Sequence, residues 1–343
     1  MLTWRARGAL AAVAALNLGV TTCRSPGDGN SPRPESEQER PIRDVTLPGV
    51  DTSSLTTREK KAWSRQVSEQ LAPCPDQPVS IAECVSEKRN CKACLPAAKF
   101  ALQAVQRGMA PEQVEALMNA RFAPDQVRNI DLEGSPSKGP ANAPVLLVEW
   151  ADFECPACDA AVPAIDGIYE RFPGKVRVVF KHFPLAMHPN AEIAARAAVA
   201  AQGQGKFWKM HAGLFAADPP LTRPTIDAVA RQAGLDMQRF VKDLESEETA
   251  DAVARDRKQG EAAELTGTPT VFVNGRRFVS LTEFDADLRD WVELELEIVT
   301  GQKPAPVAPT GASAAAAPPP SGSAADPMPA PSGSAPVSKD PAP

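Results

Sequence analysis

Val145-Leu-Leu-Val-Glu-Trp-Ala-Asp-Phe-Glu-Cys155-Pro-Ala-Cys158 passes from an apolar run to a reactive pair of cysteines within one short segment. The Val- and Leu-rich start predicts a buried strand over 145–151. After the cysteines, Val162, Ile165, Ile168, Tyr169 and Phe172 recur at helical spacing and predict a helix over 159–172. Cys155 then falls where unpaired backbone N–H groups and the positive end of a helix dipole stabilise a thiolate. Pro156 suits the first turn, because its missing N–H has no partner to lose there. Cys158, one turn inward, is placed to resolve a mixed disulfide formed on Cys155. A Cys-X-X-Cys also reads as half of a zinc site or as a structural bridge. Structural zinc needs two more ligands close by, and no other Cys or His lies between Cys94 and His182. The strand–cysteine–helix order favours redox chemistry.

Four motifs carry a resemblance: Asp152-Phe-Glu-Cys-Pro-Ala-Cys158, Phe180-Lys-His-Phe-Pro-Leu185, Gly205-Lys-Phe-Trp208 and Gly267-Thr-Pro-Thr-Val-Phe-Val-Asn-Gly275. In this order they resemble the DsbA-type thiol:disulfide oxidoreductases of the thioredoxin-fold superfamily, over residues 127–300. The resemblance implies an α/β, thioredoxin-like fold with a helical insertion, a redox-active disulfide between Cys155 and Cys158, and no cofactor or metal. It implies that Glu149 is the buried acid that moves protons to and from Cys158; the opposing expectation is a strand-edge carboxylate in solvent. It implies a cis bond before Pro269, with the backbone of Thr268 free to pair with an extended substrate chain. Implied partners are exported cysteine-containing proteins and a membrane redox partner that recycles the pair. Lys181 is expected to pair with Glu149 across neighbouring strands. His182, His188 and His211 are expected at the surface or in packing. Asp152, Glu154 and Asp159 are acidic neighbours expected to raise the thiol pKa and soften oxidising power.

The whole chain has 343 residues, 7 cysteines, 35 prolines and a formal net charge of −6, which gives no basic footprint for nucleic acid. Residues 1–23 read as an export signal: Arg5 and Arg7 precede an apolar stretch, 9–20, that is short for a membrane span. Val20-Thr-Thr-Cys23 resembles a lipoprotein processing box, which implies lipidation of Cys23. Thr22 departs from the small residue usual there, and ordinary signal cleavage is the alternative. Either route places the mature chain in the periplasm or cell envelope. Residues 24–54, polar and Pro/Gly-rich, are expected to form a disordered tether.

Residues 55–123 are expected to form a small helical domain. Thr56-Thr-Arg-Glu59 reads as a capping box, followed by Trp63, Val67 and Leu71 on one helical face. Helices over 97–107 and 111–122 form an αα-hairpin, ended and begun by Gly108 and Pro111. Between lie Cys74, Cys84, Cys91 and Cys94, for which three readings stay open: two structural disulfides, a four-thiolate metal site, or a second redox pair at Cys91/Cys94. The segment is weakly similar to the small domain of CcmH-type cytochrome c maturation proteins, through its Cys-X-X-Cys and Ala120-Arg121-Phe122; Cys74 and Cys84 depart from that pattern.

The oxidoreductase domain is expected over 124–302. A first strand is predicted at 127–132, a Gly/Pro/Ser-rich link at 134–144, and a strand at 175–182 completing a βαβ unit. Helices are predicted at 191–202, 207–215, 225–233, 237–244 and 250–264. A hairpin of 270–273 with 277–280 turns at Asn274-Gly275, and a helix at 284–298 closes the domain. Residues 303–343, rich in Pro, Ala, Ser and Gly, are expected to be a disordered tail. The reading is an extracytoplasmic oxidoreductase that forms or exchanges disulfides in exported proteins. The alternatives are a reductase serving cytochrome c maturation and a non-catalytic peptide-binding envelope lipoprotein.

Overall fold

The structure is a computed structural model that describes residues 43–301 apart from Pro75. The expected signal segment with Cys23, the tether over 24–42 and the tail from 303 lie outside the described residues.

The amino-terminal part is helical: α1 (Thr57–Glu69), α2 (Ile81–Ser86), α3 (Cys94–Gln106) and α4 (Pro111–Phe122). Two capping boxes start α1 and α2. Thr56 and Ser80 accept the N3 amides of Glu59 and Glu83, whose carboxylates bond back to the cap amides. Trp63 and Val67 are fully buried as the helical face requires, with the Trp63 indole N–H donating to the Ala98 carbonyl at 3.0 Å. Leu71, expected on that face, is 70% exposed, because α1 ends at Glu69 and Leu71 instead bridges to Ser80. The expected tether is corrected over 43–54. Leu47 is buried in the helical core beside Leu55, and the Val45 amide donates to Ser64 Oγ, so one apolar side chain and one hydrogen bond hold this stretch down. Cys74 is bonded to Cys91 and Cys84 to Cys94, which leaves none of the four as a thiolate for a metal.

A short 3₁₀ turn, Pro124–Gln126, leads into the second part. Residues 127–132 form no strand. Ile130 and Leu132 pack on Trp150 and Phe272, while the Arg128 amide bonds the Gly275 carbonyl, so the segment is held by side chains and one turn contact. The edge strand is β1 (Ser137–Lys138), inside the expected link. Next come β2 (Val145–Ala151), α5 (Pro156–Arg171) and β3 (Val176–His182). A helical insertion follows, comprising α6 (Ala191–Gln202), α7 (Phe207–Phe215), α8 (Arg223–Gln232), α9 (Met237–Leu244) and α10 (Glu247–Ala262). Then β4 (Thr270–Val273), β5 (Arg276–Arg277) and α11 (Phe284–Thr300) complete the described residues. The sheet order is β1-β3-β2-β4-β5, with β2 and β3 parallel and the other pairs antiparallel. This is a thioredoxin-like sheet with helices on both faces and a helical insertion.

Alternation along β2 divides the cores. Val145 and Leu147 face α5 and α11, packing on Ile165, Ile168, Leu288 and Val292. Val148 and Trp150 face the other way, and the Trp150 indole N–H donates to the Asp256 carbonyl of α10 at 3.0 Å. The insertion has its own core, in which the alanines of α6 let Met210, Leu214 and Phe240 approach closely. The hairpin turns as its sequence requires: Asn274 and Gly275 both have positive φ, +47° and +78°. Its second strand is shorter than expected, ending at Arg277 before Phe278 turns into the core. Among the described residues no helix is long and apolar enough to cross a membrane.

α11 joins the two parts. Leu294 packs in the helical core while Leu288 and Leu296 pack beneath the sheet. Arg121 of α4, almost completely buried, pairs with Glu295 at 2.7 Å and lies 4.3 Å over the Trp291 ring.

Candidate active site

β2 ends at Ala151 and delivers a four-residue turn, 152–155, to the start of α5. Cys155 is the N-cap residue, with extended backbone, and its carbonyl accepts the amides of Cys158 at 3.0 Å and Asp159 at 3.1 Å. Pro156 occupies the first helical turn. Both cysteines are free thiols. Cys155 is buried but 7% exposed, whereas Cys158 is fully enclosed. The Asp152 amide approaches Cys158 Sγ at 3.5 Å. Burial pushes the Cys158 thiol pKa well up, and the neighbouring Cys155 and Glu149 charges push the same way.

The loop before β4 crosses in front of this turn. The Thr268–Pro269 bond is cis, and the Cys155 thiol lies 3.5 Å from the Thr268 carbonyl oxygen, to which it donates. An apolar cavity of about 380 Å³ opens beside Pro269, lined by Ala157, Ala161, Val271, Phe278 and Phe284.

Glu149 lies on β2 opposite Val271 of β4 and Phe180 of β3, and is 3% exposed. It is not a strand-edge carboxylate. Its Oε1 has no hydrogen-bond partner among the described residues. Burial raises its pKa from 4.5 to about 8; the Asp166 charge adds to this and Lys138 opposes it. At neutral pH the group is protonated.

Lys181 does not pair with Glu149. In the parallel register it stands beside Trp150, so its side chain leaves the sheet on the opposite face. There Lys181 Nζ meets Asp256 Oδ1 at 3.2 Å and donates to Ser135 Oγ at 2.8 Å, while the other Asp256 oxygen accepts the His182 amide at 3.1 Å.

The acidic neighbours also have partners that their sequence positions did not reveal. Asp152 accepts the amides of Glu154 and Leu185, each at 2.8 Å, and faces His188 Nδ1 at 2.7 Å. Glu154 accepts the Asn190 amide and the Leu221 amide at 2.8 Å, and Asn190 Nδ2 at 3.0 Å. Burial works against the Glu154 charge, yet the Leu221 and Asn190 N–H bonds outweigh it and hold the carboxyl below its usual range. Both carboxylates are therefore spent on backbone donors and fasten the cysteine turn to the loops flanking α6 and α8. Sequence reasoning missed this bracing; the one signal was two acids bracketing an aromatic between a buried strand and a cysteine. Asp159 is exposed. His182 and His211 pack among Phe153, Phe180 and Phe207, where burial lowers each pKa to about 4 and keeps both rings neutral.

A family model described as Thioredoxin matches residues 131–293. Among curated proteins, the Na(+)/H(+) antiporter NhaA 3 of Salinispora tropica is 41% identical over 149 residues, which are 43% of this chain and 23% of the relative. The chain thus spans about a quarter of the length of that relative. Among solved structures, a thioredoxin-like oxidoreductase from Silicibacter pomeroyi is 28% identical, covering 47% of this chain and 91% of that one with a TM-score of 0.43. BdbD from Bacillus subtilis is 24% identical, covering 50% and 97%, with a TM-score of 0.45. Over residues 131–293 the chain is thus similar to the thioredoxin family, in the part that holds the sheet, the cysteine pair and the helical insertion.

Proposed function

We propose that the protein is an extracytoplasmic thiol:disulfide oxidoreductase that forms or exchanges disulfides in exported proteins through Cys155 and Cys158. One observation carries the reading: a partly accessible sulfur at a helix N-cap, beside the Thr268 carbonyl, stands in front of a buried sulfur and a protonated buried carboxyl. In the oxidised pair, a substrate thiolate attacks Cys155 Sγ, the S–S bond breaks, and the electron pair goes to Cys158. That thiolate is disfavoured by burial, and the Glu149 carboxyl supplies its proton. A second substrate thiolate then attacks the substrate sulfur of the mixed disulfide. Cys155 leaves as a thiolate stabilised by the start of α5, and the substrate disulfide is complete. Thr268 offers backbone groups to an extended chain, and the apolar cavity beside Pro269 takes a neighbouring side chain.

Two disulfides in the helical part support an oxidising compartment, in accord with the export signal read at 1–23. Lipid attachment at Cys23, exported substrates and a membrane recycling partner belong to the same proposal. A Cys158→Ser variant should accumulate mixed disulfides with peptide disulfides, all attached at Cys155. No adducts, or adducts that survive an added Cys155→Ser change, would favour the binding-module alternative. The direction of flow is read from the reduction potential: near about −120 mV the pair donates disulfides, and near about −270 mV it works as a reductase.

A further inference from the structure

The Cys155–Cys158 pair leaves the other cysteine cluster without a role. In the helical part the Sγ atoms of Cys84, Cys91 and Cys94 lie within 4.8 Å of one another, although Cys91 is bonded elsewhere, to Cys74. Two disulfides thus lie sulfur against sulfur. Their exposure is graded: Cys84 and Cys94 are almost fully buried, while Cys74 is half-buried at the edge of the core. Cys94 is also the first residue of α3, whose N-cap, Ala93, supplies no capping side chain. The positive end of the α3 dipole there favours negative charge on the Cys94 sulfur.

We propose that these four cysteines form a second disulfide-exchange site, in which Cys91, once released from Cys74, displaces one sulfur of the Cys84–Cys94 bridge. The reductant is a protein or small-molecule dithiol. Its first thiolate bonds to Cys74 Sγ, the Cys74–Cys91 bond breaks, and the electron pair remains on Cys91. The Cys91 thiolate bonds to Cys84 Sγ, and the pair from the broken Cys84–Cys94 bond passes to Cys94, which takes up a proton. The donor's second thiolate then bonds to the donor's first sulfur, the bond from that sulfur to Cys74 breaks, and Cys74 leaves as a thiolate that takes up the other proton. The donor leaves as a disulfide. The domain keeps one bridge, Cys84–Cys91, and has gained two thiols, Cys74 and Cys94. Cys94 is the favoured leaving group because a stabilised thiolate departs faster. A reducing equivalent that arrives at the rim is thereby moved to the interior start of α3.

The test uses the full chain with Cys23, Cys155 and Cys158 replaced by serine, so its outcome is independent of the active site. Under native conditions the chain is treated with one equivalent of dithiothreitol, quenched with acid and alkylated, and the disulfides are mapped by mass spectrometry. The expected two-electron-reduced species includes a population with Cys91 bonded to Cys84 or Cys94. Cys91 and Cys74 alkylated throughout, with Cys84–Cys94 intact, would overturn the proposal, as would opening of Cys84–Cys94 alone. If the bridges resist reduction, an added Cys74→Ser change decides the matter. The proposal expects Cys91 to be found in a disulfide with Cys84 or Cys94, and a free Cys91 beside an intact bridge sinks it.

Discussion

Cys91-Lys-Ala-Cys94 and Cys155-Pro-Ala-Cys158 share spacing and an inner alanine, and each stands at the start of a helix. Their states are opposite. In the first, both sulfurs are bonded to partners outside the motif; in the second, both are free. The difference is one of offset. α5 begins directly after Cys155, so the first cysteine is the N-cap and the second lies about one turn in, both over the same helix end. α3 begins at Cys94, so Cys91 stays in the preceding turn, within reach of the Cys74 loop. What comes before matters equally. A fully paired buried strand fixes Cys155, whereas the turn before Cys91 has no sheet to lean on and is held by cross-links. Cys-X-X-Cys spacing therefore does not specify chemistry; its register against the helix start does.

The sharpest way to break this comparison is to remove the cross-links. Replacing Cys74, Cys84, Cys91 and Cys94 by alanine opens loops of 17 and 10 residues' separation and should cost roughly 4–6 kcal/mol in all. Hydrogen exchange should speed up across α1 and α3 while β2 and β3 keep their protection; equal loss in both regions would refute the contrast. Arg121→Ala strikes the seam between the regions. It leaves Glu295 buried without its cation and should cost about 3–5 kcal/mol by urea unfolding, with both regions affected.

Glu149→Gln isolates the second region. Folding raises this carboxyl from 4.5 to about 8, so the folded state carries no penalty below about pH 4.5. The penalty grows as the pH rises and is complete above about pH 8. The variant should match wild type near pH 4 and exceed its stability by roughly 2–4 kcal/mol at pH 8.5. A difference independent of pH would contradict a buried titrating acid. Gly275→Ala should have the smallest effect, about 1–2 kcal/mol by thermal unfolding, because the turn needs a positive φ and an added Cβ would meet the Arg128 carbonyl.

The redox turn was legible in sequence because its signals are local: an apolar run, two cysteines, a proline at a helix start and helical spacing beyond. The same holds for the Asn274-Gly275 turn and for the Thr56/Glu59 cap. Features set by distant partners were not legible. Lys181 and Glu149 read as neighbours, but the parallel register put them on opposite faces, and Lys181 found Asp256 some 75 positions away. Asp152 and Glu154 read only as charges beside a thiol, and their amide partners on Leu185, Asn190 and Leu221 lie too far along the chain to be foreseen. Residues 43–54 read as tether because Val45, Leu47 and Val50 in a polar stretch make no pattern, and only the assembled helical core gives Leu47 a place. Conversely, the apolar Val127 and its neighbours suggested a strand where the chain only packs.

The helix that closes the sheet also supplies Leu294 to the helical core and Glu295 to Arg121. A ribosome delivers the chain from its amino end, so the four cysteines of the helical part emerge long before α11 exists. Their neighbourhood is completed only by α11, the last helix among the described residues, so a part made early is finished late.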